Sequence, residues 1–150
     1  MDKGIYCLVF RNPACTLTVG ALGPVVFEAG WHIYVGSALG SGGLKRLERH
    51  IALSRNRDRR PKWHIDWLSQ SPYFSLRASV FALTEERLEC RLAEALGGEG
   101  VPGFGCSDCT CTSHLFYRRR NPVQETEAAF RSLGLAACTQ TIMNRERSKG

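Results

Sequence analysis

The chain has no apolar run approaching the roughly 18 residues that suggest a membrane span, so no membrane partner is expected. It has no signal-peptide layout: Met1, Asp2 and Lys3 run straight into Gly4-Ile5-Tyr6. No long tract of biased composition and no internal repeat interrupts it. Acidic residues are the scarcer charge, with 14 Asp and Glu against 20 Lys and Arg, a net charge of +6. The 7 cysteines are odd in number and lack an export signal, so a disulfide framework is not expected. These absences lead to the expectation of a soluble, cytoplasmic protein. At 150 residues the chain has the size of one domain. Residues 1–143 read as that domain and 144–150 as a polar, flexible tail.

The positive excess is clustered. Arg55, Arg57, Arg59, Arg60 and Lys62 fall within eight residues, relieved only by Asp58. Arg118, Arg119 and Arg120 form a second run. Such clusters suit a polyanion, because each phosphate contact releases counterions. The structural alternative is a solvated loop; two clusters in one basic domain favour nucleic acid. Protein partners are not legible.

Along the chain, GIYCLVF (4–10) reads as a buried strand. Residues 15–19 and 25–28 read as a hairpin inserted before a strand at 32–36. Gly40, Gly42 and Gly43 break that strand, and a helix follows over about 44–53, with Leu44, Leu47 and Ile51 on one face. Arg46 and His50 lie side by side at the flank of that face. A basic loop leads to a short helix, WHIDWL. Trp63 and Trp67, four apart, are expected in the core rather than as base-stacking platforms. LRASVFAL (76–83) is another strand. Thr84 reads as the N-cap of a helix running to about Leu96, with Glu85 and Glu86 in its first turn and Leu88, Leu92 and Ala95 on its apolar face. Cys7 and Cys90 read as small core residues. A strand, HLFY, and a last helix over about 122–133 complete the pattern. The class is α+β: a small antiparallel sheet with a core of about three strands, an inserted hairpin and flanking helices. Gly-Ser-Gly-Gly before a helix lacks the Lys-Ser/Thr of a phosphate loop and the spacing of a dinucleotide fingerprint.

Gly4-Ile5-Tyr6 and Tyr34-Val35-Gly36, each on a strand, are followed by a helix with Arg46-Leu47 and then His50, by Glu89 on a later helix, and by a Pro-Gly loop. This order resembles the GIY-YIG nucleases, over residues 4 to about 117. GSALGSGGL, WHIDWL and PGFGCSDCTCTSHLF resemble more closely an uncharacterised branch of that superfamily, known as a domain of unknown function. Ser37 stands where many members carry Lys. The resemblance implies a metal-dependent phosphodiester hydrolase. Tyr34 would help activate the attacking water and Tyr6 would orient it. Arg46 would hold the scissile phosphate, and His50 would assist by hydrogen bonding or proton relay. Glu89 would ligate one Mg2+ or Mn2+. DNA is the favoured substrate over RNA. Some relatives of the branch are fused to DNA-repair glycosylases, which makes repair the implied setting by association.

The chemistry is coherent in itself. Phosphodiester cleavage needs an activated water and neutralised phosphoryl oxygens. Arginine offers a planar fork matched to phosphate, and one carboxylate with waters and substrate oxygens makes a normal magnesium site. Tyrosine, with an ordinary pKa of ~10, is a poor base at neutral pH unless cations lower it, and His50 competes for that role. Each residue also has a purely structural role open to it, as a sheet aromatic, a surface ion pair or a helix-end charge.

Cys106, Cys109, Cys111 and His114 read C-x2-C-x-C-x2-H and offer four zinc-type ligands. The favoured alternative is a polar active-site loop with reduced thiols, because no second C-x2-C pair accompanies it. In that reading Asp108 and His114 are additional cleft groups, with His64 and Asp66 as weaker ones. The rivals to a nuclease are a nucleic-acid-binding module without chemistry and a zinc-stabilised docking domain.

Overall fold

The computed structural model describes residues 2–57, 60–105 and 113–142. In chain order the elements are β1 (Gly4–Asn12), β2 (Cys15–Thr18), β3 (Pro24–Phe27), β4 (Gly30–Ala38), α1 (Lys45–Asn56), α2 (His64–Ser69), β5 (Ser75–Leu83), α3 (Glu89–Leu96), β6 (Leu115–Arg118), α4 (Val123–Ser132) and β7 (Cys138–Thr141).

β1 is buried along its length except at Arg11. Its unbroken apolar run is explained by its place at the centre of a sheet covered on both faces. The strand order is β6-β4-β1-β5-β7, every neighbouring pair antiparallel. β2 and β3 form a separate hairpin joined by a short 3-10 turn at Gly20–Leu22. The predicted three-stranded core is β4-β1-β5, and the sheet is larger than expected because β6 and β7 extend both edges.

Alternation along the strands sends side chains to two separate cores. Tyr6, Leu8 and Phe10 pack with Leu47 and Ile51 of α1 and Ile65 and Leu68 of α2. Ile5 and Cys7 pack on the other face with Leu92 and Leu96 of α3 and Ala129 and Phe130 of α4. Gly4 is a point of close approach: a Cβ there would lie 2.5 Å from the Ala82 carbonyl oxygen. No helix among the described residues is long and apolar enough to cross a membrane.

Three local expectations are corrected. The predicted helix at Thr84 starts at Glu89 instead. Thr84 Oγ1 accepts the Glu86 N–H at 3.1 Å, closing a local turn rather than capping a helix. Glu89, not Glu85 or Glu86, is therefore the acid in the first turn. Cys90 is consequently at the helix start, half-buried and disulfide-bonded rather than a core thiol. Trp63 sits in extended backbone just before α2, so it shares no helical face with Trp67, and the two are 39% and 37% exposed.

Candidate active site

The site is assembled on the face of the sheet that carries α1. Tyr6 on β1 pairs with Gly36 on β4, and Leu8 pairs with Tyr34, so both tyrosines project to one side. α1 crosses that side and contributes Arg46 and His50. Trp63 and His64 come from the start of α2, Glu89 from the start of α3 and His114 from just before β6. Together with Tyr6, Tyr34, Gly36, Ser37 and Lys62 they line one cleft of about 510 Å³. Gly20 and Ala21, from the turn of the inserted hairpin, form part of its wall.

The groups differ sharply in environment. Tyr6 is 1% exposed. Burial raises its phenol well above the ordinary value, Tyr34 adds to the rise, and Arg46 and Arg49 oppose it. His50 is also 1% exposed. Burial lowers its pKa to about 4, against the pull of Asp66 and with the push of Arg49 and Arg46. Its ring lies 5.6 Å from that of Tyr6 and 6.5 Å from that of Tyr34, centroid to centroid. Arg46 is exposed and tethered by a 3.1 Å bond from Nη1 to the Ser37 carbonyl. That anchor holds the guanidinium at the cleft and leaves donors for another ligand.

Glu89 is half-buried, and among the described residues no ion pair or hydrogen bond engages its carboxylate. Such a carboxylate fits a hydrated magnesium ion, which takes one or two protein oxygens and completes its shell with water and substrate. Among the described residues no group of three His, Cys, Asp or Glu stands close enough to hold a metal by itself. Cys106, Asp108, Cys109 and Cys111 lie outside the described residues, as does Arg59. His114 is 3% exposed, with Nε2 4.0 Å from Cys90 Sγ. His64 Nδ1 accepts the Gly105 N–H at 3.0 Å, and burial lowers its pKa.

The basic surface is only partly as expected. Lys62 lines the cleft, Arg55 and Arg60 are exposed, and Arg57 is half-buried at the α1 C-cap. Arg118 is committed to structure: Nε donates to Glu125 at 2.8 Å, and Nη2 donates to the Leu96 and Gly97 carbonyls. A second cavity, about 580 Å³, runs along the outer face of α1 and shares Arg46 and Trp63 with the cleft. Arg49, Arg46 and Lys62 surround the Trp63 indole at 4.6, 5.1 and 5.6 Å from its centroid.

Asp66, a minor cleft candidate in the sequence, is fully buried behind the site. Its Oδ2 accepts from the backbone N–H groups of Lys62 (2.8 Å) and Trp63 (3.1 Å) and from Arg49 Nη2 (3.2 Å). An acid at the third position of a short helix is the signal for this capping arrangement.

The family model described as "Domain of unknown function DUF123" matches residues 5–135, and the chain belongs to that family. No curated protein and no solved structure matches it.

Proposed function

We propose that this chain is a metal-dependent endonuclease of the GIY-YIG type that hydrolyses phosphodiester bonds in DNA, with repair as its setting. The observation that carries the reading is the convergence of Tyr6, Tyr34, Arg46, His50 and Glu89, from four separate elements, on one cleft. Glu89 is the residue to hold Mg2+ or Mn2+, which when bound supplies charge neutralisation at the phosphoryl oxygens. Arg46 presents its free guanidinium donors to the scissile phosphate. Tyr34 orients and helps activate the attacking water. Tyr6, held protonated by burial, donates a hydrogen bond and does not take the proton. His50, uncharged at neutral pH, is the group able to accept it. Lys62, Arg60 and Arg55 extend the cationic surface along which a strand would lie.

The test is cleavage of a panel of duplex, single-stranded, flapped, branched and abasic DNA, with RNA alongside, in magnesium, manganese or chelator. Metal-dependent cleavage that is lost in Tyr34→Phe and Arg46→Ala supports the reading. Salt-sensitive binding without cleavage would make the chain a nucleic-acid-binding module on the same fold. Stoichiometric zinc in freshly purified protein would instead favour the zinc-stabilised docking domain.

A further inference from the structure

We infer that Asp66 is a positioning residue for His50: its Oδ1 receives the His50 Nδ1–H and leaves Nε2 as the proton acceptor facing the cleft. One unmatched donor and one weakly engaged acceptor carry the inference. His50 Nδ1 is buried and, among the described residues, has no hydrogen-bond partner. Asp66 Oδ1 lies 3.9 Å from it. Among the described residues, Oδ2 of the same carboxylate accepts three bonds, whereas Oδ1 accepts only a 3.4 Å bond from Arg49 Nη1. An acceptor with a spare lone pair therefore faces a buried donor that lacks one.

The geometry also determines which partner moves. Asp66 is pinned by the backbone of Lys62 and Trp63 and by Arg49, so its carboxylate is fixed to α2. The imidazole needs a shift of roughly 1 Å to reach hydrogen-bond distance. Among the described residues, the groups around the ring are Tyr6 from β1, Tyr34 from β4, Arg46 and Arg49 from α1, Trp63 from just before α2, and Asp66 from α2. Asp66 is the one carboxylate among these, and so the one able to fix the Nδ1–H tautomer. A buried carboxylate that fixes a histidine's tautomer and stabilises its protonated form is a general device for making imidazole a catalytic base. The role in cleavage rests on the proposed nuclease reading, whereas the tautomer does not.

The experiment is nitrogen-15 NMR of the His50 ring in histidine-labelled protein without substrate, for wild type, Asp66→Asn and Arg49→Gln. The expected result is a protonated Nδ1 and an unprotonated Nε2 in the wild type. That preference is lost in Asp66→Asn and retained in Arg49→Gln, where Asp66 is still present. An Nε2–H tautomer in the wild type would overturn the assignment. So would a folded Asp66→Asn protein with an unchanged tautomer. If Asp66→Asn does not fold, Arg49→Gln decides: loss of the Nδ1–H tautomer there overturns it. Where cleavage is measurable, folded Asp66→Asn should lower kcat by about tenfold or more with little change in KM. Absence of cleavage in every protein would defeat the nuclease reading and leave the NMR result standing.

Discussion

The ring of Tyr6 lies directly across Gly36: a Cβ built on Gly36 would sit 2.6 Å from both Tyr6 Cζ and its hydroxyl oxygen. The two residues are register partners on β1 and β4. The first half-motif thus supplies a ring, and the second supplies the bare backbone over which that ring must lie. The glycine is a matter of space rather than of turn geometry. Gly36→Ala should therefore push Tyr6 off its position and destabilise the fold by roughly 1–3 kcal/mol, as overpacking does. Denaturant unfolding checks the stability, and the cleavage assay checks the displaced hydroxyl.

Stability should fall in mild acid. His50 and His32 both have pKa values lowered to about 4 by burial, from an ordinary value near 6.5. His32 is enclosed by Phe27, Phe74 and Tyr117, and its Nδ1 bonds to Asn12 Oδ1 at 2.8 Å. The folded state resists protonation that the unfolded chain accepts. The contribution is complete above pH ~6.5 and is lost as pH falls toward 4, on the order of 3 kcal/mol for each histidine. Urea midpoints measured between pH 7.5 and 4 should decline over that interval. A flat profile would show that the two rings are hydrated or paired.

Trp63 should matter to binding. It is well exposed, ringed by three cations and shared by the cleft and the groove along α1. Trp63→Ala removes a face on which a base can stack and the platform that holds the guanidinium groups, so DNA affinity should drop about tenfold. Fluorescence anisotropy with labelled single strands and duplexes measures it.

Lys62 lines the cleft, and Arg60 lies exposed beside it in sequence. Lys62→Ala should weaken binding uniformly across sequences and reduce the slope of log affinity against log salt by about 0.9 on duplex DNA. The same titrations check it. Arg118→Ala should leave that slope unchanged and lower stability instead, because its donors are spent on Glu125 and the end of α3.

Much of this architecture is legible in the chain because burial imposes pattern. β1 carries a long apolar run, β4 and β5 carry shorter apolar stretches (Ile33–Val35 and Val80–Leu83), and α1 carries a spaced apolar face. β7 carries no such mark: Cys138–Thr141 is an exposed edge strand of polar residues, held by backbone pairing to β5. The α3 start is not legible because Thr-Glu-Glu has the composition of a helix start, whereas Thr84 is tied by its backbone N–H to the Lys3 carbonyl. Tyr6, Tyr34, Arg46, His50 and Glu89 are recognisable only as an ordered set, since each alone has an ordinary structural role. Asp66 stands out in the sequence as a residue but not as a neighbour of His50, because α1 and α2 are brought together by tertiary packing and not by spacing.

The most direct test of the account compares wild-type protein with Glu89→Ala for metal-dependent cleavage on the DNA panel, both proteins first shown to be folded. The account predicts cleavage by the wild type in magnesium or manganese, none in chelator, and a rate at least about 100-fold lower in Glu89→Ala. Equal cleavage by the two proteins, or metal-independent cleavage by the wild type, would contradict it.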